Sequence, residues 1–174
     1  LGRIFGCLRE NDLFKNTWII FTADHGEMLG DHHMSQKNLF FEGSAHVPLL
    51  IMPPQGRSLP QNISVEAPTD LVDLYPTILA MAGLSSPVSV SGRNLLEPVP
   101  MDRIFFGNSL NRNFCVMEEK VKLVYSAVGD HVLLFDLNTD PMEQHNLAED
   151  PAWQERKAKL WKLLLEHTAQ YTPE

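Results

Sequence analysis

The stretch Trp18–Pro53, WIIFTADHGEMLGDHHMSQKNLFFEGSAHVPLLIMP, is apolar at both ends and polar between them. Trp18-Ile19-Ile20-Phe21 has the length and the β-branched and aromatic content of a buried strand. Val47-Pro48-Leu49-Leu50-Ile51-Met52 reads as a second strand, with Pro48 at its start, where a missing N–H does least harm. The residues between them are rich in acids, histidines and glycines and include a single lysine, so they cannot form a core. They belong at the carboxyl edge of a sheet, where open α/β sheets place their ligand crevices.

The residue types in that polar stretch suggest a chemistry. Asp24 and His25 follow the first strand directly, and Gly26 lets the backbone turn sharply away. A carboxylate oxygen beside an imidazole nitrogen suits a divalent cation, and a strand-end turn can bring both to one ion. Lys37 is a compact point charge suited to a tetrahedral oxyanion. His32, His33 and His46 add proton donors that titrate near neutral pH. Taken singly these pieces are weak, because an Asp-His-Gly after a strand is ordinarily a turn and a loop lysine is ordinarily solvated.

Their order and spacing resemble something specific. Thr22-Ala23-Asp24-His25-Gly26-Glu27, Leu29-Gly30-Asp31-His32, Lys37, Phe41-Glu42-Gly43-Ser44 and Val47-Pro48-Leu49 together resemble the carboxyl-side signature of the sulfatase family, within the alkaline-phosphatase-like superfamily. The resemblance implies that Asp24 and His25 are metal ligands and that Lys37 contacts the sulfate group under attack. It also exposes one departure, since the family commonly carries Arg where this chain has His46.

Composition bounds the rest. With 174 residues, 44% of them hydrophobic, the chain is large enough for a real core in one domain or slightly more. A net charge of −8 argues against nucleic acid as a partner, because no basic stripe is available to neutralise phosphates. No apolar run reaches the length of a membrane span, and the first residues lack the charged-then-apolar pattern of a leader. Cys7 and Cys115 lie far apart without metal-site spacing and are expected to be buried thiols. Leu1, Ile4, Phe5 and Leu8 recur at helical spacing without a preceding cap, so the chain is expected to start in or beside a helix as the carboxyl-terminal portion of a longer polypeptide.

Downstream, Pro53–Pro60 reads as a loop. Thr69 is expected to cap a helix whose stripe of Leu71, Leu74, Tyr75, Ile78, Leu79 and Ala82 faces the core, with Pro76 kinking or restarting it and Gly83 ending it. The Asp-x-x-Pro-Thr-x-Leu-x-x-x-Gly pattern of this helix resembles a sulfatase helix that packs on the central sheet. Residues 85–100 read as a linker, and Arg93 within them, in a segment resembling one of the family's, is weighed as a solvated loop residue against a place near the site. Four short strands are then expected at Arg103–Gly107, Phe114–Met117, Val121–Tyr125 and Val132–Leu137, with tight turns at Glu118–Lys120 and Gly129-Asp130.

Leu134-Phe135-Asp136-Leu137-Asn138-Thr139-Asp140-Pro141-Met142-Glu143-Gln144-His145-Asn146-Leu147 resembles the terminal signature of the same family. A structural turn, with Asn146 bonded to backbone and Leu147 in the core, is preferred there over a calcium loop built on Asp136, Asn138 and Asp140. A final helix is capped by Asp150, opens on Pro151, and docks on the small sheet through Trp153, Leu160, Trp161 and Leu164.

The fold class expected is therefore α/β. An alkaline-phosphatase-like sheet fragment, part of a mixed or parallel sheet with flanking helices, occupies residues 1–97; a small antiparallel sheet and terminal helix occupy 98–174. What the resemblance implies for function is hydrolysis of a sulfate ester. It would use Ca²⁺ as the divalent metal and a formylglycine made from an upstream Cys or Ser in Cys/Ser-x-Pro/Ala-x-Arg. Neither Cys7 nor Cys115 lies in that motif, so the chain by itself is expected to be inactive and to need the amino-terminal part of the same polypeptide. Two alternatives keep the fold: a phosphonate monoester or phosphodiester hydrolase using Mn²⁺ or Zn²⁺, and a non-catalytic scaffold.

Overall fold

A computed structural model describes residues 1–37, 39–57, 64–110 and 112–170. In chain order its elements are α1 (Gly2–Glu10), β1 (Ile19–Thr22), α2 (Glu42–Ala45), β2 (Leu49–Met52), α3 (Leu74–Met81), β3 (Phe105–Ser109), β4 (Asn113–Glu118), β5 (Val121–Ser126), β6 (His131–Asp136) and α4 (Gln154–Ala169). They group into two compact units that interleave along the chain. One takes Leu1–Asp24, Val47–Glu66 and Leu71–Leu96; the other takes His25–His46, Ala67–Asp70 and Glu97–Glu174. A division into 1–97 and 98–174 therefore leaves out that the polar loop between β1 and β2 groups with the carboxyl-terminal sheet.

The first unit holds β1 and β2, which pair antiparallel from Ile19 opposite Met52 to Thr22 opposite Leu49. Of the mixed and parallel arrangements expected, this pair excludes the purely parallel one. Helix α1 forms where its periodicity predicts, yet Leu1 and Ile4 are exposed, and only Phe5 finds a ring partner, stacking on Phe14 at 6.0 Å. Cys7 is exposed, contrary to expectation, because it lies on this thinly covered helix; Cys115 is buried in β4, and both are free thiols.

The α3 region departs from its sequence reading in two ways. Thr69 does not cap it: a 3-10 turn spans Leu71–Asp73 and α3 opens at Leu74, which puts Pro76 in the first turn. There the missing N–H has no helical partner to lose, whereas a helix begun earlier would drive the proline ring into the carbonyl of Val72. The polar Asp73 and Thr77 are the buried residues, while Ile78 of the apolar stripe is 50% exposed and Tyr75 46%. The burial is satisfied chemically. The Asp73 carboxylate accepts the Arg93 N–H at 2.8 Å, and the Thr77 hydroxyl donates to the Asp73 carbonyl at 2.6 Å and accepts the Leu95 N–H at 2.9 Å. Arg93 is thus held by its backbone, with its residue exposed. The helix stops as expected at Gly83, φ +72°, where the N–H groups of Gly83 and Leu84 return to the carbonyls of Ala80 and Leu79.

In the second unit, β3-β4-β5-β6 form an antiparallel meander, within two residues of each strand expected. The turn between β4 and β5 places Glu119 and Lys120 both at positive φ, the geometry that matches strand twist in a two-residue hairpin. Alternation sorts the side chains by face. Val116, Val121, Leu123 and Leu134 meet Leu160 and Leu164 of α4, each such side chain contributing about 1.5–3 kcal/mol by burial. On the opposite face Phe135 packs with Met28 and Phe41 of the polar loop.

The terminal motif is a turn, as expected. The Asp136 carboxylate accepts the Asn138 N–H at 3.1 Å and the Thr139 hydroxyl at 3.0 Å, and Asn146 Oδ1 accepts the N–H groups of Leu134 and Ala148. Asp150 accepts the Ala152 N–H at 2.8 Å, and Pro151 opens a 3-10 turn ahead of α4. Of the Pro53–Pro60 loop, residues 58–60 lie outside the described residues. No helix among the described residues is long and apolar enough to cross a membrane.

Candidate active site

The His25–His46 loop folds back on itself at a point where only glycine fits. The Gly26 N–H donates to the Ser44 carbonyl at 2.8 Å, and a Cβ on Gly26 would lie 2.1 Å from the Gly43 oxygen. This close approach brings His25 and Lys37, twelve residues apart, into contact. His25 Nδ1 lies 2.7 Å from the Gly26 carbonyl oxygen, and Lys37 Nζ lies 2.5 Å from His25 Nε2. A nitrogen facing a carbonyl must carry the proton, and one facing an ammonium must accept. Both contacts therefore select the same neutral tautomer, protonated on Nδ1 with the Nε2 lone pair turned toward Lys37.

The other histidines have different partners. His32 and His33 share the 3-10 turn Asp31–His33, both at positive φ. His32 stacks on Phe41 with ring centroids 4.1 Å apart, and His33 is exposed. His46 Nδ1 lies 2.7 Å from Glu42 Oε2, one turn earlier in α2, and its side chain is 75% exposed. A cleft of about 600 Å³ is lined by His32, Met34 and Phe41 on one side and Arg112, Ser126 and His131 on the other, and neither His25 nor Lys37 lines it.

The fit to a divalent metal can be judged from the donors. An imidazole whose Nδ1–H is given to a backbone carbonyl presents Nε2 in the manner of a metal-ligating histidine. The exposed Asp24 carboxylate, adjacent in the chain, supplies a harder oxygen donor. These two residues suit the ion but form only part of a coordination shell, and no group of three or more His, Cys, Asp and Glu converges among the described residues. Lys37, being exposed, can leave Nε2 when a cation takes that lone pair.

A buried ion cluster beneath the loop escapes sequence reasoning. Lys122, the second residue of β5, has a side chain only 4% exposed, yet its ammonium meets the Phe40 carbonyl at 2.8 Å, Glu143 Oε1 at 2.9 Å and Glu42 Oε1. Burial alone would raise the Glu42 pKa, but the charge and hydrogen bond of Lys122, aided by His46, hold it below the ordinary value. Burial alone would lower the Lys122 pKa, and Glu42 and Glu143 more than offset this, leaving it raised. Beside them, burial pushes the Cys115 thiol up to about 12, which makes it inert as a nucleophile. The available signal was indirect: Glu42 and Glu143 each sit in a stretch that carries the family resemblance, and Lys122 is where the two stretches meet.

Residues 1–84 match the family model for sulfatases. The chain is 34% identical over 168 residues to arylsulfatase K of Xenopus laevis, covering 85% of this chain and 31% of that protein. It is 31% identical over 179 residues to the uncharacterized sulfatase YidJ of Escherichia coli, covering 96% of this chain and 35% of that one. The crystal structure of the phosphonate monoester hydrolase of Agrobacterium radiobacter superposes with a TM-score of 0.78 at 31% identity, over 98% of this chain and 38% of that one. The chain thus spans about a third of the length of the curated relatives it matches. By these matches the chain belongs to the sulfatase family and has its alkaline-phosphatase-like α/β fold.

Proposed function

We propose that this chain serves in a sulfuric ester hydrolase, as the portion that completes a metal site and an oxyanion contact. The observation that carries the reading is the Lys37–His25–Gly26 relay, which places a cation beside an imidazole of defined tautomer. Asp24 and His25 hold a divalent metal in this reading, Ca²⁺ by the sulfatase resemblance. Such an ion supplies Lewis-acid polarisation of the ester's central atom. Lys37 then neutralises charge on the non-bridging oxygens as it builds up during attack. His46, oriented by Glu42 through Nδ1, presents Nε2 for proton transfer to the leaving alcohol, with His32 and His33 as its competitors. The nucleophile is a formylglycine from an amino-terminal part of the polypeptide, consistent with the share of its relatives that this chain spans.

The test uses the full-length polypeptide, assayed on an aryl sulfate, a phosphonate monoester and a phosphodiester. Sulfatase activity that falls by about 10²-fold or more in Lys37→Ala, as loss of an oxyanion donor does, supports the reading. Asp24→Ala is expected to lose bound metal, measured by elemental analysis, together with turnover; full activity without Asp24 would sink the metal assignment. The 31% identity to a phosphonate monoester hydrolase gives the second reading its support, and a preference for the phosphonate over the sulfate would establish it.

A further inference from the structure

We infer that Lys122 is a positioning residue: from the start of an inner strand of the small sheet it sets the geometry of His25 and Lys37. The inference rests on the ester-hydrolase reading only for what the positioned residues do, since the positioning itself is a property of the fold.

The contacts form one continuous chain. Lys122 has three N–H donors, and three acceptors meet them: the Phe40 carbonyl, Glu42 Oε1 and Glu143 Oε1. Glu143 uses its other oxygen to accept the Glu42 N–H at 2.7 Å. Lys122 and Glu143 therefore hold the first residue of α2 by its side chain and its backbone together. From α2 the Ser44 carbonyl accepts the Gly26 N–H at 2.8 Å, the Gly26 carbonyl faces His25 Nδ1 at 2.7 Å, and His25 Nε2 faces Lys37. Every link is directional, and the Gly26–Gly43 approach leaves no slack in the middle, because even a methyl group there would strike the Gly43 oxygen.

A purely stabilising role explains this cluster poorly. Apolar residues of similar volume generally fill a buried site at least as well as an ion cluster, whose retention is better attributed to fixing one arrangement. Here the arrangement fixed is that of a loop rich in glycine and charge. Packing of Met28 and Phe41 against Phe135 brings the loop to the sheet, but such contacts are non-directional. The ammonium of Lys122 supplies the direction.

The experiment compares the full chain with its Lys122→Met, Lys122→Arg and Glu143→Gln variants. Two readouts are taken: ¹⁵N spectra of the His25 ring, which report its tautomer, and hydrogen exchange of Gly26 and Ala45 against that of Val116 and Leu123. Lys122→Met is expected to mix the His25 tautomers and to speed loop exchange by roughly tenfold or more, with the sheet amides unchanged. Lys122→Arg, which keeps the charge, restores the wild-type ring signals. An unchanged ring and loop overturn the inference, and so does a loop that loosens by the same factor as the sheet. Should Lys122→Met fail to fold, Glu143→Gln decides, since it keeps the Phe40 and Glu42 acceptors of Lys122 while removing the Glu143 charge and one of its two accepting oxygens: a smaller change in the same direction supports the inference and no change overturns it. In the full-length polypeptide the same variants are expected to lower kcat more than they raise KM on the sulfate ester. A chain that shows the spectral change but cleaves no ester keeps Lys122 as a positioning residue and loses the hydrolase reading; an active enzyme indifferent to Lys122 does the reverse.

Discussion

Gly26 has almost no freedom to change. Its neighbour across the loop is a backbone carbonyl, which cannot swing aside as a side chain can, so Gly26→Ala must push the two loop limbs apart. The expected destabilisation is about 1–3 kcal/mol, the usual range for overpacking, read as a lower urea midpoint, and His25 separates from Lys37 in the same variant. Glu42 makes a prediction about pH. Its pKa is held below the ordinary 4.5, so its contribution to stability is present above that value and is lost as pH falls through the lower folded value. Lys122, raised from 10.5, contributes below that value and fails only as pH rises past its higher folded value. The cluster is therefore at full strength between these limits. Glu42→Gln is expected to lower the urea midpoint at pH 7 and to flatten the acid limb as pH falls below 4.5; an acid limb as steep as that of wild type would count against it.

The elements differ in how far their sequences disclose them. The strands β3 to β6 were legible to within two residues because period-2 alternation and turn residues such as Glu119-Lys120 and Gly129-Asp130 act locally. So were the Asp150 cap and the Gly83 stop, each a matter of one side chain or one φ angle. What alternation could not show was which neighbour covers a face. The stripe of α3 has helical period, yet Ile78 and Tyr75 are half-exposed, and the buried Asp73 and Thr77 are satisfied through bonds to Arg93 and Leu95, eighteen to twenty residues away. The order of Asp24, His25 and Lys37 was likewise visible, whereas the burial of Lys122 depends on residues 80 and 21 positions distant. Two substitutions test these packing arguments by denaturant unfolding. Thr77→Val keeps the shape but strands the Leu95 N–H, with an expected cost of about 1–3 kcal/mol. Leu160→Ala empties a fully buried site between α4 and the sheet, with an expected cost of about 2–5 kcal/mol.

Across the whole molecule the two sheets are unequal, and that inequality bears on how the chain works. The β1–β2 pair is a two-stranded ribbon in which no residue is fully buried, and Phe21, Leu50 and Met52 are exposed. Two strands alone are marginal in water. The β3–β6 sheet has Val116, Leu123 and Leu134 fully buried under α4 and Phe135 buried against the loop on its other face. Opening of the ribbon exposes little that is not already exposed, while opening of the larger sheet must uncover its whole core. Native-state hydrogen exchange of the chain should therefore show β1 and β2 exchanging on the order of a hundredfold faster, or more, than β4 and β5. Equal protection of the two sheets would refute this account of local stability. The His25–His46 loop belongs with the slower sheet, through the Lys122 cluster and the Phe41–Phe135 contact, even though Asp24 is grouped with the ribbon. Lys37 and His25 are thereby tied to the most stable part of the chain, and Asp24 to the least.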